Sequence, residues 1–508
     1  MPGMSYSLAL ITVFVASFCT MVIELIAGRI VAPTLGVSLY TWTTVIGVCL
    51  AGIGFGNYVG GRVADKYPSR RTLAILLLLS AIASLAIVFL VQFAEALPFL
   101  NDLPVIARFS LFIGIIFFAP TALLGMITPV VIKLSLSDLA RAGVTIGTVY
   151  AMSLLGSIIG TFATGFFLIS LFGTRANVAL VAGVLALLAL IVGGRDLRVR
   201  TMILLGILLA FGYQAYARGA LASPCTRETN YYCINVLRVS LQDEAEPVTA
   251  LRLDRLDHAY RSEKDPLKLI YAYEQVYAVF STHLVRQNPA LEMLFMGGGG
   301  YVFPIYMERK YPQTRISVAE IDPGVTEIAR QSFGLIPQSR IMTHDLDARQ
   351  FLYHLPPARK FDVVVGDAFN DLSIPYHLTT REFMLLLKSH LSPDGIYMAN
   401  TIDVPSVGSF VRAHVRTMQS VFRYVYLVAN SPGWQFAGRA TFVIVAADRA
   451  LDLDRVMQVA EELAYAPVTF IVSPDSLADY LAKEPPLILT DDHAPVDNLI
   501  APTFADRQ

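Results

Sequence analysis

The chain has 508 residues, of which 55% are hydrophobic and 16% are charged, and its formal net charge at pH 7 is −1. A soluble chain of this length would carry more charge, so the composition excludes a wholly water-soluble protein. The near-neutral charge gives no electrostatic reason to expect a nucleic acid as a partner, and no nucleic-acid-binding motif is present. The excess of apolar residues lies before about residue 220, which predicts a membrane-embedded first half and a soluble second half.

Seven apolar segments of the first half approach the length that crosses a bilayer, which predicts an all-α membrane bundle. They lie roughly at 8–30, 41–61, 72–93, 106–132, 144–171, 175–193 and 201–218. Glu24 lies inside the first segment, where an acid is costly and usually has a partner. Arg29, about one helical turn later, is the candidate. A structural Glu–Arg pair and a ligand or ion site both stay open.

The loops between these segments differ in charge. Basic residues follow the second, fourth and sixth segments, whereas the alternate loops carry Glu95 and Asp102 with Arg175 as the only base. By the positive-inside rule the N-terminus is cytoplasmic, and seven spans then place the C-terminal half outside the cytoplasm. Cys225 and Cys233 flank a short segment after the last span, where either a disulfide or two free thiols would fit.

The second half begins with alternating apolar and polar residues over 231–258, which predict a small antiparallel β unit. Residues 266–287 read as a helix. Strand-like segments and helical stretches then alternate, which predicts a parallel α/β sheet covered on both faces, and a polar tail LTDDHAPVDNL reads as a loop. The predicted domains are a helical membrane domain, a β unit and an α/β domain at 1–220, 221–262 and 263–508.

One stretch of the α/β half has the pattern of a nucleoside-binding βαβ unit. An apolar strand segment ends in the glycines Gly297–Gly300, and a second strand segment, about 20 residues later, ends in Glu320. Polar side chains also follow the next three strands, among them Asp347, Asp367 and Asn400. Taken singly, each Asp is typical of a helix cap or a turn. Because parallel strands end at one crevice, the set predicts a ligand site beside the glycines.

These residues resemble a known family. The segments GGGG, AEID, FDVVVGDAF and LSPDG, with the pair Asp347–Ala348, are similar to those of spermidine synthases, the polyamine aminopropyltransferases. The resemblance covers about residues 231–450 and implies the Rossmann-like fold of class I methyltransferases with a small β domain before it. The first half resembles the multi-pass domain fused to such synthases in some bacteria, on Gly52–Asp65 and Gly125–Pro129, which implies a bacterial inner-membrane protein.

The resemblance implies a role for each matching position. Gly297–Gly299 would face the adenosine of decarboxylated S-adenosylmethionine, and Glu320 would hold its ribose. Asp347 would accept a hydrogen bond from the adenine amino group, with Ala348 beside it. Asp367 would be the acid at the reacting amine.

The acceptor side matches less closely. Tyr273 and Glu274 stand where the synthases carry a tyrosine and a polar residue that reach the substrate amine, and His258 stands near a strand glutamine of the family. The second acid of the family's Asp-x-x-Asp motif is replaced by Asn370, with Asp371 one place late. This departure puts putrescine in doubt as the acceptor.

The implied reaction transfers an aminopropyl group from decarboxylated S-adenosylmethionine to a di- or polyamine and gives methylthioadenosine. It implies no metal and no tightly bound cofactor, and a homodimer is expected. Two other functions stay open: an S-adenosylmethionine-dependent methyltransferase, and a membrane transporter or sensor that binds polyamines or nucleosides without turnover. An outside location conflicts with a donor made inside the cell. Either the donor crosses the membrane, the span count is off by one, or the ligand differs.

Overall fold

The computed structural model describes residues 4–136, 138–193, 199–242, 244, 246–368 and 373–504. The chain divides into two compact units, Met1–Cys233 and Ile234–Gln508. It passes from the first unit to the second at the start of a β-strand.

The first unit is helical. Its α-helices in the described residues are α1 (Tyr6–Leu35), α2 (Leu39–Lys66), α3 (Arg70–Glu95), α4 (Val105–Gly125), α5 (Ile127–Ser135), α6 (Ala142–Ala163), α7 (Ile169–Gly193) and α8 (Val199–Ala217). The first three helices begin after a serine, Ser5, Ser38 or Ser69, whose side-chain oxygen accepts a backbone N–H of the first turn. Serine at this position replaces a hydrogen bond that the helix itself cannot make.

Five helical stretches of the first unit are long and apolar enough to cross a membrane. The fifth runs over Leu139–Gly193 and therefore contains both α6 and α7. Within α7, Gly173 leaves the helical conformation, with φ 74°. The predicted count of seven is therefore not reproduced, because two predicted segments join into one stretch and the last helix, Thr201–Ala217, is short.

The predicted pairing of Glu24 with Arg29 is wrong. Arg29 instead donates to the backbone carbonyls of Thr229, at 2.8 Å, and Tyr231. Oε2 of Glu24 is buried without a hydrogen-bond partner in the described part of the chain. A spacing of five residues turns the two side chains about 140° apart around a helix, so they do not share a face.

A disulfide closes the end of the first unit. Cys225 and Cys233 are bonded, which confirms the disulfide reading over two free thiols. The bridge encloses the segment whose carbonyls Arg29 holds.

A small β-sheet precedes the main fold of the second unit. Its strands are β1 (Arg227–Glu228), β2 (Cys233–Val239), β3 (Val248–Leu253) and β4 (Leu256–Arg261), in the order β1-β2-β3-β4. The pairs β2–β3 and β3–β4 are antiparallel, as the alternation of the sequence predicts. A tight turn joins β3 to β4, and its first residue, Asp254, has φ 52°.

The main sheet of the second unit has eight strands among the described residues. They are β5 (Glu292–Met296), β6 (Arg315–Glu320), β7 (Met342–Asp345), β8 (Phe361–Gly366), β9 (Leu391–Asp403), β10 (Tyr424–Ala429), β11 (Ala440–Ala447) and β12 (Phe470–Ile471). The helices are α9 (Ala272–Val285), α10 (Val302–Lys310), α11 (Pro323–Ile328), α12 (Ala348–His354), α13 (Arg381–Ser389), α14 (Phe410–Gln419), α15 (Leu453–Glu462), α16 (Pro474–Ala482) and α17 (Val496–Ile500).

The strand order is β12-β10-β11-β9-β8-β5-β6-β7. The strands β7, β6, β5, β8 and β9 run parallel, and β11 lies antiparallel between β9 and β10. This is the Rossmann-like fold that was expected, with the later strands extending the sheet. The chain order reverses between β5 and β8, and in such sheets the crevice at the carboxyl ends of these strands receives the ligand.

The polar tail is more ordered than the loop that its sequence predicts. Thr490 and His493 form a β-bridge, and α17 begins directly after Pro495. Proline has no N–H to lose at a helix start, which explains why a Pro-containing segment still forms a helix.

Candidate active site

The glycine loop after β5 lies against the backbone that follows β8. Gly297 has φ 94°, and a Cβ there would lie 2.5 Å from the carbonyl oxygen of Asp367. The backbone N–H of Asp367 donates to the carbonyl of Met296 at 2.9 Å, so the ends of the two strands are joined. Only glycine fits this close approach and this dihedral angle. Gly299, with φ 49°, instead faces open space, and a Cβ there would lie 3.8 Å from the carbonyl oxygen of His258.

Glu320 fixes the glycine loop to the end of β6. Its Oε2 accepts the backbone N–H of Gly298 at 2.7 Å, and its Oε1 accepts that of Asp322 at 2.9 Å. Burial raises the pKa of Glu320 to about 7, although these N–H donors oppose the rise. Glu320 and Gly298, which the sequence places at the nucleoside, are therefore in direct contact. The bonds also give Glu320 a structural task that sequence reasoning did not assign.

Asp347 caps α12. Its Oδ1 accepts the backbone N–H groups of Arg349 and Gln350, both at 3.0 Å, and its Oδ2 lies 2.8 Å from Nε2 of His377. Burial alone would raise the pKa of Asp347, but the hydrogen bond from His377 and the two backbone donors outweigh it and hold the pKa below its ordinary value. Ala348 is buried as the first residue of the helix. An adenine amino group at Asp347 would have to share these oxygens.

The tail of the chain supports the same helix. Arg349 binds Asp491 through two hydrogen bonds, 2.8 Å from Nη1 to Oδ1 and 2.5 Å from Nη2 to Oδ2. Thr380 also donates to Oδ1 of Asp491, at 2.7 Å. The tail thus holds the residue that follows the Asp347–Ala348 pair. No local pattern signals this, because the partners are 142 residues apart.

Asp367 stands at the end of β8 beside Asn400. Its Oδ1 accepts Nδ2 of Asn400 at 2.7 Å. Burial raises the pKa of Asp367 to about 6, against the opposing effects of Asn400 and Tyr273. A carboxylate with a pKa near 6 is largely ionised at pH 7 and can still accept a proton. Asn400 was noted in the sequence only as a polar residue after a strand.

Glu274 is a second acid near Asp367, and its hydrogen bonding differs. It is buried in the first turn of α9, and Oε2 has no hydrogen-bond partner among the described residues. Burial, with the nearby charge of Asp367, raises the pKa of Glu274 well above its ordinary value. The two neighbouring acids thus differ in environment: Asp367 accepts a hydrogen bond from Asn400, whereas Oε2 of Glu274 has no partner among the described residues. Neighbouring acids in unlike environments are typical of catalytic sites.

Tyrosine rings form one wall of the site. Tyr271 stacks on Tyr260 at 4.7 Å and on Tyr273 at 5.1 Å between ring centroids. The Tyr273 hydroxyl lies 3.3 Å from the backbone oxygen of His258. Burial lowers the pKa of His258 to about 4, so its ring is neutral. The sequence predicted Tyr273 and His258 at the site but neither the tyrosine stack nor the hydrogen bond between the two residues.

Some of these groups surround one cavity of about 430 Å³, whereas Glu320, Asp347 and Glu274 are not among its lining residues. Its lining includes Gly299, Asp367, Asn400, Tyr273 and His258, so it connects the glycine loop with the acid at the end of β8. The volume suits a small-molecule ligand. Asn370 and Asp371, the predicted acceptor contacts, lie outside the described residues. Within the described ranges no group of His, Cys, Asp or Glu side chains could hold a metal ion.

Residues 278–448 match the spermine/spermidine synthase domain. A polyamine aminopropyltransferase of Vibrio vulnificus is 36% identical over 141 residues, which cover 27% of this chain and 46% of that protein. The chain thus spans about half the length of this relative. Polyamine aminopropyltransferase 2 of Aquifex aeolicus is 23% identical over 440 residues, which cover 83% of this chain and 85% of the relative. A probable spermidine synthase structure from Corynebacterium glutamicum matches with a TM-score of 0.46 and 20% identity, over 52% of this chain and 95% of that one.

Proposed function

We propose that the protein is an aminopropyltransferase, which moves an aminopropyl group from decarboxylated S-adenosylmethionine to an amine. The observation that carries the proposal is the position of Asp367. This acid lines the cavity together with Gly299 of the glycine loop, and Asn400 donates to its carboxylate. The match of residues 278–448 to the synthase domain supports the same reaction over methyl transfer or ligand binding without turnover.

Proton transfer is the step that the protein must assist. An alkylammonium has a pKa of about 10 and no lone pair at pH 7. Asp367 accepts its proton, directly or through water, and the freed nitrogen attacks the carbon beside the sulfonium. The N–C bond forms as the C–S bond breaks, and the electron pair of the broken bond stays on sulfur. Methylthioadenosine leaves as a neutral thioether. Asp367 rather than Glu274 is the base, because Asp367 lines the cavity and Glu274 does not.

The remaining groups hold the reactants. The glycine loop and Glu320 form the nucleoside cradle, with Asp347 and Ala348 at its adenine end. The faces of the stacked tyrosines stabilise the sulfonium and ammonium charges. Alignment of amine and donor supplies much of the rate gain. The donor is a co-substrate, and the reaction needs no metal or tightly bound cofactor. Assembly as a homodimer is part of the proposal.

We propose further that the first unit crosses the membrane seven times. The stretch Leu139–Gly193 has 55 residues, about 80 Å of helix at 1.5 Å per residue, against about 30 Å of bilayer core. Gly173 interrupts it, so two passes fit better than one. Together with the loop charges, this number places the second unit outside the cytoplasm. The disulfide at the end of the first unit is consistent with an oxidising compartment.

The test is the variant Asp367→Asn in the full-length protein in nanodiscs. Methylthioadenosine release from decarboxylated S-adenosylmethionine and a panel of amines is expected to fall by about 10²–10⁴-fold, because the base is lost. The dissociation constant of the donor is expected to stay within about threefold. In the parent protein kcat/KM is expected to rise with pH through about 6, since Asp367 acts deprotonated.

Asp475→Asn is the matched control, because Asp475 is an exposed acid on α16. It is expected to leave turnover unchanged. Retained turnover in Asp367→Asn would contradict the role given to Asp367. Absence of methylthioadenosine from the parent protein with every amine would contradict the proposed function itself.

A further inference from the structure

The cavity contains guanidinium groups as well as carboxylates. Arg255 and Arg439 both line it, with Asp257, Tyr260 and the residues of the reaction centre. Arg255 lies in the turn between β3 and β4, directly after Asp254, whose φ is 52°. It forms no hydrogen bond or ion pair within the described residues. Its charge therefore has no protein counter-ion in the described part of the chain.

Asp257, which follows Arg255 by two residues and also lines the cavity, is already paired. Arg252 binds Asp257 through two hydrogen bonds, 2.7 Å from Nε to Oδ1 and 3.2 Å from Nη2 to Oδ2. The Tyr260 hydroxyl also donates to Oδ2 of Asp257, at 3.0 Å. A bidentate arginine neutralises a carboxylate and fixes its plane. Asp257 thus offers little negative charge to a ligand, and the unpaired charge beside it is that of Arg255.

A diamine fits this arrangement poorly. Both of its nitrogens are protonated in water at pH 7, because alkylammonium groups have a pKa of about 10. One nitrogen must reach Asp367, where it loses its proton. The other would remain a cation in a cavity that also holds the guanidinium of Arg255. Like charges in a partly desolvated site repel one another and select against such a ligand.

We propose that the acceptor is an amino acid, with its amine at Asp367 and its carboxylate bound by Arg255. This inference rests on the proposed function and specifies its substrate class. A guanidinium presents paired N–H donors that match the two oxygens of a carboxylate. The bond changes are those of aminopropyl transfer: the N–C bond forms, the C–S bond breaks, and the proton passes to Asp367. The product is an N-aminopropyl amino acid.

Matched acceptor pairs test the proposal in the full-length protein. Diamines of four and five carbons are compared with the ω-amino acids of the same carbon number, 4-aminobutanoate and 5-aminopentanoate. The donor is decarboxylated S-adenosylmethionine, and both methylthioadenosine and the mass of the aminopropylated product are measured. The amino acids are expected to exceed the diamines in kcat/KM by about tenfold or more, the usual scale for one well-placed charge pair.

Variants of Arg255 separate recognition from folding. Arg255→Gln is expected to lower kcat/KM for the amino acids by about 10- to 100-fold and to change that for the diamines by less than about threefold. Arg255→Glu is expected to reverse the preference. Arg238→Gln is the control, because Arg238 lies exposed on β2 and pairs with Glu263. It is expected to leave both substrate classes unchanged, and all three variants are expected to keep their donor affinity.

Three results would overturn the inference. One is a preference of the parent protein for diamines. Another is an equal loss for both classes in Arg255→Gln, which would mark a structural residue. The third is a selective loss of diamine turnover in Asp257→Asn, which would place the far ammonium at Asp257. In each case methylthioadenosine still forms and the proposed function stands. No methylthioadenosine from any acceptor would overturn both.

Discussion

Burial raises the pKa of Asp367, which suits a general base but lowers the stability of the fold when the carboxylate is ionised. Its pKa in the folded protein is about 6, and that of an aspartate in an unfolded chain is about 3.9. Between these values the folded state binds more protons than the unfolded state. Stability contributed by the protonated form is therefore lost as pH rises from about 4 to about 6. Above that range the carboxylate destabilises the protein by about 1–3 kcal/mol.

The variant Asp367→Asn is therefore expected to unfold at a higher temperature than the parent protein at pH 8. The amide keeps a side chain of similar size and carries no charge to desolvate. At pH 4 the two proteins are expected to differ less, because the parent carboxyl is then protonated. Thermal unfolding followed at both pH values checks this. A variant less stable than the parent at pH 8 would contradict the expected cost of the buried charge.

The limits of sequence reasoning at this scale are visible in Asp347 and Arg29. For Asp347 the sequence allowed both a helix cap and a ligand contact, and its oxygens cap α12 and bind His377, a partner that no local pattern indicates. For Arg29 a nearby acid in sequence suggested a pair, but distant carbonyls of Thr229 and Tyr231 take its donors. Local patterns report which residues can make a bond. They do not show which residues from distant parts of the sequence lie close enough in the folded chain to form that bond.

At the scale of elements, the contact between the loop after β5 and the end of β8 leaves no room for a side chain at Gly297. Gly297→Ala is expected to weaken donor binding by at least about tenfold. A left-handed alanine costs about 1–2 kcal/mol, and its Cβ would lie 2.5 Å from the carbonyl oxygen of Asp367. Relief of that clash moves the strand end that carries the base. Titration calorimetry with decarboxylated S-adenosylmethionine measures the loss.

Gly219→Ala is the matched control, because it places the same residue at a positive φ without a clash. Gly219 has φ 65°, and no atom lies within 4 Å of a Cβ added there. Its donor affinity is expected to stay within about threefold of that of the parent protein. Equal losses in the two variants would show that the close approach at Gly297 is not what weakens donor binding.

The strands of the α/β sheet could be predicted because each one is a short apolar run with a clear stop. The same patterns placed Glu320, Asp367 and the glycines at one edge. The tail could not be assigned in this way. Its Asp491 meets Arg349 only after the intervening sheet has folded, and a polar segment with prolines has no periodicity from which to infer a contact.

At the scale of the whole molecule, the orientation in the membrane decides where the reaction occurs. Seven passes predict that a protease added to spheroplasts cleaves the second unit without permeabilisation. An epitope inserted after Lys66, at the end of α2, is expected to be protected, because the basic residues of that loop favour the cytoplasm. Protection of the second unit in sealed spheroplasts, with cleavage after lysis, would contradict this orientation.

Hydropathy alone could locate the apolar helical half of the chain but could not count the membrane passes proposed for it. The uncertainty lies at Gly173, where two predicted segments run on as one stretch. The chain is apolar and helical on both sides of Gly173, so its composition does not show where one pass ends and the next begins.

The bond between Arg349 and Asp491 also bears on how the protein matures. A ribosome must make 142 further residues after Arg349 before its partner exists. Until then, the helix that follows Asp347 lacks one of its anchors. The proposed nucleoside cradle is thus completed late in biosynthesis, and a nascent chain stalled before Asp491 would lack this anchor of the proposed donor site.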